Sequence, residues 1–124
     1  MKLKEFKVEP MGKPRMTQSD KWKKRERVER YFSFRDHIRL LAYGFKMPES
    51  DYHLKFFIPM PLSWSKKKRS EMAGKPHQAK PDKDNLEKAF LDAVCVDDAY
   101  IWDGRVSKYW SDYGKIIIEW GKHD

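Results

Sequence analysis

The stretch KPDKDNLEKAFLDAVCVDD, residues 80–98, constrains the fold more than any other. From Asp84 onward, Leu86, Ala89, Phe90, Ala93 and Val94 recur at i, i+3, i+4, i+7 and i+8. That spacing makes one apolar helix face, which has to be buried against another element. At ~100° per residue, Asp84, Lys88 and Asp92 fall on the opposite side, each one turn beyond the last. Leu91 falls on that polar side too, where it reads as a subunit contact. Pro81 favours extended backbone at Lys80; if this continues through Asp82, then Asp82 and Asp84 point the same way and converge. Four carboxylates, Asp82, Asp84, Asp97 and Asp98, are thus concentrated in a chain of formal charge +8.

The remaining periodicities complete an α+β reading. Leu3, Phe6 and Val8 predict a short opening strand, ended by Pro10 and the turn Met11-Gly12-Lys13-Pro14. Val28, Tyr31, Phe32, Ile38, Leu41, Ala42 and Phe45 predict an amphipathic helix over about 24–43, stopping near Gly44 and Pro48. Residues 52–58 are aromatic-rich and bounded by prolines, which favours a strand. Residues 59–81 show neither period and predict a long substrate-contacting loop, mobile without ligand. Residues 105–111 and 114–120 predict two strands closing as a hairpin about Asp112-Tyr113, with Val106, Lys108 and Trp110 on one face of the first. The expected fold is therefore one α+β domain over 1–124, with a mixed sheet of about four strands and two principal helices. There is no internal repeat and no coiled-coil heptad.

Charge is unevenly placed. Of 27 Lys and Arg against 19 Asp and Glu, residues 13–30 carry eight basic and three acidic side chains, and residues 62–80 carry six and one. Both runs look exposed, and each holds a tryptophan, Trp22 or Trp64, that could stack on unpaired bases or lie in the core or at its rim. They are either ordinary solvated surface or a polyanion-binding surface that works by neutralising phosphates. On the second reading the candidate contacts are Lys13, Arg15, Lys66, Lys67, Lys68, Arg69, Lys75 and Lys80. The lone Cys95 lies in an apolar run and reads as a small buried thiol in a reducing compartment. His37, His53, His77 and His123 lack metal-ligand spacing and read as surface or loop residues. No long apolar run or secretory leader is present, so a soluble cytoplasmic protein is expected.

Carboxylates forced together repel one another unless a cation is present, and magnesium prefers oxygen ligands of this kind. Beside a phosphate-binding surface, a metal so held can polarise a phosphodiester and activate a water. Lys88, one turn past Asp84, could offset charge developing on the phosphorus. Two structural alternatives stand beside this chemistry. Asp84-Asn85-Leu86-Glu87 also matches a capping box, and Lys88 could simply pair with Asp84 or Asp92.

KPDKDNLEKAFLDAV followed by DDAYI, with IPMPLSWSKKKR upstream and Lys108 downstream, resembles the RusA family of Holliday-junction resolvases, found mainly in phages and prophages. The similarity runs from the GKPR turn to the last strand. It implies a bacterial, homodimeric, magnesium-dependent endonuclease, with manganese as a substitute ion, that nicks two opposed strands of a four-way DNA junction. The family's metal-binding aspartates match Asp82, Asp84 and Asp98, its lysine matches Lys88, and Lys108 joins the expected DNA contacts. The link Val94-Cys95-Val96 is shorter than in members with a longer glycine-containing loop. That departure bears on which of Asp97 and Asp98 reaches the metal; the resemblance places the third ligand at Asp98, with Asp97 in support. The competing readings are a junction-binding protein that does not cut, and a metal nuclease acting on flaps or RNA.

Overall fold

A computed structural model describes residues 1–14 and 21–121, with the side chains of 21–24 outside the description; Arg15, His123 and the side chain of Trp22 therefore lie outside the described residues. The elements run β1 (Lys2–Phe6), α1 (Lys21–Leu41), β2 (Tyr52–Pro59), α2 (Lys66–Met72), α3 (Lys83–Val94), β3 (Arg105–Ser111) and β4 (Lys115–Trp120). The four strands form one mixed sheet in the order β1-β4-β2-β3, with β4 antiparallel to β1 and β2, and β3 parallel to β2. The α+β class and the four-stranded mixed sheet are as the periodicities predict.

Alternation along the strands sends Phe6, Leu54, Phe56, Ile116 and Ile118 to one face, where they are fully buried. Phe90 of α3 meets this face edge-on, 5.3 Å from Phe6 and 6.5 Å from Phe56 between ring centroids. Tyr31, Phe34 and Ile38 of α1 join the same apolar cluster, so the two long helices and the sheet share one core. Burying side chains of this size contributes roughly 1.5–3 kcal/mol each.

Three expectations are corrected here. Residues 105–120 do not form a hairpin: β2 lies between β3 and β4, and the three-residue link Asp112–Gly114 carries the chain past the end of β2. Strand propensity marked both segments, but the apolar row of β2 offers a partner on each edge and takes both. The segment 59–81 is not a structureless loop. It contains α2, whose N-cap Ser65 accepts the Lys68 backbone N–H at 3.2 Å. No α2 residue is buried, so the helix has no apolar stripe by which its period could be read.

Leu91 is not a surface contact, being only 8% exposed and part of the core. Both flanks of α3 are covered. On one side Arg39 of α1 donates to the carbonyls of Ala93 and Asp92; on the other, one turn before Leu91, Glu87 accepts the Tyr52 hydroxyl at 3.1 Å. That bond also removes the capping box, since Glu87 faces the sheet and the N-cap is Asp82, not Asp84.

Candidate functional site

The first turn of α3 opens into a cleft of about 950 Å³ lined by Lys13, Arg27, Lys80, Asp82, Asp84, Asn85 and Lys88, with Pro14 and Pro81. Each wall has a local cause. Asp82 is the N-cap and Asp84 lies in the first turn, so the backbone is extended only as far as Asp82, and both side chains line the cleft. The Asp82 side chain makes no capping bond and instead pairs with Lys80 at 3.0 Å. Lys108 reaches from β3 and donates to the carbonyls of Ala79 at 2.7 Å and Pro81 at 2.9 Å, holding the entrance to α3 in place. Opposite, the turn before residue 15 packs tightly on α3. A Cβ at Gly12 would come within 2.5 Å of Asn85 Nδ2, so a larger residue here would have to displace the Asn85 amide.

Lys13 reaches along α3 to Asp92 at 2.7 Å, and Tyr31 donates to the same carboxylate at 3.2 Å. The hydrogen bond to Asp92 holds the Lys13 ammonium above its ordinary pKa, while burial first and Asp92 second push the Tyr31 phenol up. Asp92 is thus occupied by Lys13 rather than Lys88. Among the described residues no ion pair engages Lys88, which stands exposed on the cleft one turn past Asp84. The helical ion pair offered as its alternative role is not formed.

Asp97 and Asp98 lie elsewhere. They follow the C-terminal end of α3, whereas Asp82 and Asp84 begin it, and a 12-residue helix is about 18 Å long. Asp97 accepts the Ala99 N–H at 2.9 Å, and the Asp98 carbonyl accepts the Ile101 N–H at 3.0 Å, so the doublet sits in a tight turn. Neither lines the cleft. Among the described residues no three His, Cys, Asp or Glu side chains are grouped to hold a metal. The donor chemistry suits a hard divalent ion: magnesium is commonly held by one or two carboxylates, with waters and substrate phosphates completing its shell.

The other predicted phosphate contacts divide by element. Lys66, Lys67, Lys68 and Arg69 are on α2, Lys75 follows it, and Lys80 lies on the cleft. Trp64 is a rim residue: it packs on Trp110 at 4.8 Å, with the Lys68 ammonium 4.3 Å over its ring. His77 is a loop residue as expected, yet only 3% exposed, with its ring 4.2 Å from that of Trp110. Burial, then Lys108, lowers its pKa. Cys95 is half-buried, and burial raises its thiol. Arg27 and Asn85 are cleft residues that sequence reasoning does not single out. Arg27 is legible only as one of many cations in residues 13–30, and Asn85 only as part of a capping motif.

Two carboxylates in one cleft with four cations form a surface suited to a phosphodiester backbone, on a small α+β scaffold. The family model for endodeoxyribonuclease RusA matches residues 6–120, nearly the whole chain, and the protein belongs to that family. It is accordingly a DNA endonuclease of the Holliday-junction class, at work in recombination. Comparison with curated proteins gives no match. No helix among the described residues is long and apolar enough to cross a membrane.

Proposed function

We propose that the protein resolves four-way DNA junctions by magnesium-dependent hydrolysis of two opposed phosphodiesters, acting as a cytoplasmic homodimer with the whole chain 1–124 as one catalytic domain. The observation that carries this reading is the placement of Asp82 and Asp84 among Lys13, Arg27, Lys80 and Lys88 in one cleft. The cations hold the backbone phosphates, and Lys88 offsets charge gained at phosphorus. Magnesium, or manganese in its place, would be held by Asp82 and Asp84 together with Asp98, supported by Asp97. When bound, such an ion polarises the phosphodiester and lowers the pKa of a water.

Because Asp97 and Asp98 do not line the cleft of their own chain, we assign them to the cleft of a second copy. Asp97 and Asp98 are exposed beside Val96, Tyr100 and Trp102, all exposed apolar side chains. An acidic turn ringed by apolar groups complements a cation-lined cleft. Two such exchanges about a twofold axis give two sites, one for each strand to be cut.

A second reading, a protein that binds junctions without cutting, is favoured by the absence of a three-ligand group among the described residues of one chain. Incubation with labelled four-way junction, flap and linear duplex, with magnesium or EDTA, separates the two. Paired nicking of the junction alone, abolished by EDTA, is expected. Binding without nicking at any metal concentration would establish the second reading.

A further inference from the structure

The turn before α2 holds an apolar side chain out on a braced frame, beside a run of cations. Leu62 is 95% exposed, in a turn closed by the Trp64 N–H on the Pro61 carbonyl at 3.1 Å. The same carbonyl accepts Arg69 Nη1 at 2.8 Å, and the Met60 N–H bonds the Ser111 carbonyl at 2.9 Å, tying the turn to the end of β3. Trp64, packed at a tilt against Trp110, braces its other side. A lone apolar side chain is thus held out into water on a braced turn, directly before the exposed lysines Lys66, Lys67 and Lys68. Burial contributes nothing at such a position.

We propose that Leu62 is a wedge that inserts against an unstacked base at the branch of a DNA junction, while the α2 cations hold the flanking phosphates. This rests on the reading of the substrate as branched DNA. Apolar side chains flanked by cations unstack base steps in this way, and a branch point is where stacking is already interrupted. The turn and the cleft share one strand as their frame. Met60 ties the turn to Ser111 at the end of β3, and Lys108 of the same strand bonds the Pro81 carbonyl beside Asp82. Leu62 is then a positioning residue: it opens the branch and takes no part in bond breaking.

The test uses a four-way junction with 2-aminopurine at the branch, whose fluorescence rises on unstacking, in EDTA so that nothing is cut. Wild-type protein should raise the signal. Leu62→Ser should bind within about threefold of wild type, since the phosphate contacts are intact, yet lose more than about half of the rise. Leu62→Phe should keep it. An equal rise with Leu62→Ser, no rise with wild type, or failure of a folded Leu62→Ser to bind each overturns the wedge while leaving the resolvase reading in place. Failure of the wild type to bind the junction overturns both.

Discussion

At its N-terminal end α3 is held from three directions, by Lys108 beneath the Ala79 and Pro81 carbonyls, by the turn at Gly12 against Asn85, and by Lys80 on Asp82. At its C-terminal end Arg39 holds the Asp92 and Ala93 carbonyls, and the chain beyond is tied to backbone groups of residues 47–49: the Met47 carbonyl accepts the Tyr100 hydroxyl at 2.8 Å, and the Glu49 carbonyl accepts the Trp102 N–H at 3.0 Å. There the apolar side chains point out, with Val96 fully exposed and Trp102 73% exposed. Asp82 and Asp84 at the first end are set in a cleft with cations; the doublet Asp97-Asp98 beyond the second is not. The cleft end and the exposed apolar turn are the two halves that the proposed exchange between copies would bring together.

The largest effects should come from the aspartates. Asp82→Asn or Asp84→Asn removes an anionic donor with little change of shape, so cleavage should fall on the order of 100-fold or more, the scale of losing one positioned electrostatic group. Junction binding should survive or improve, because a negative charge beside the phosphates is gone. Undiminished cleavage by either variant removes that residue from the site. Asp98→Asn should be comparably inactive, and Asp97→Asn less so. Mixing Asp82→Asn with Asp98→Asn chains then tests the division between the helix ends. If the doublet acts across the dimer, half the dimers are mixed and hold one intact site, restoring nicking to about a quarter of the wild-type site count. No recovery means that each chain completes its own site, or that the chain works as a monomer, which light scattering would show.

Smaller effects are expected from groups that hold rather than react. Neutralising Lys66, Lys67, Lys68 and Arg69 together should weaken binding to every DNA shape and flatten the salt dependence by up to ~0.9 for each phosphate left without its cation. Unchanged affinity and slope would reduce α2 to solvated surface. Lys108→Met removes two charge-assisted bonds at the entrance to α3, and urea unfolding should show a loss of about 1.5–3 kcal/mol. A stable Lys108→Met that fails only in DNA binding would show instead that this ammonium contacts the backbone.

Much of this was legible in the sequence wherever periodicity had a buried face to report. The stripe Leu86 to Val94 located α3, and alternation around Ile116 and Ile118 located β4. The cleft carboxylates were legible because Pro81 and the start of α3 lie so close to them. What escaped was long-range or faceless. Strand order cannot be read from propensity, so β3 and β4 looked like a hairpin. The helix α2 buries nothing and left no period. Leu91 was misplaced because a helical wheel separates near from far sides but does not say how many neighbours will cover the helix. The distance between the two aspartate pairs depends on α3 remaining helical to Val94, a fact of the fold that sequence proximity conceals.

The smallest effect, and the one that tests which end of α3 is the more dependent on its supports, is that of mild acid. His77 leads into the segment that ends at Pro81, its backbone N–H bonding the Lys108 carbonyl at 3.0 Å and its ring packed on Trp110. Burial, then Lys108, holds its folded pKa below the ordinary 6.5. The unfolded chain therefore binds this proton at a pH where the folded one does not, and stability rises with pH across that interval. Read downward, stability is full above about 6.5 and declines as pH falls through the unfolded and then the folded pKa. His53, lowered chiefly by burial, acts in the same direction from β2. His77→Phe, which keeps a ring against Trp110 without a titrating group, should flatten the decline measured by urea unfolding between pH 7 and pH 5. Hydrogen exchange over the same range should show amides of residues 75–81 opening before those of residues 95–102. Equal opening at both ends, or an unaltered slope in the variant, would mean that His77 does not hold the cleft end together.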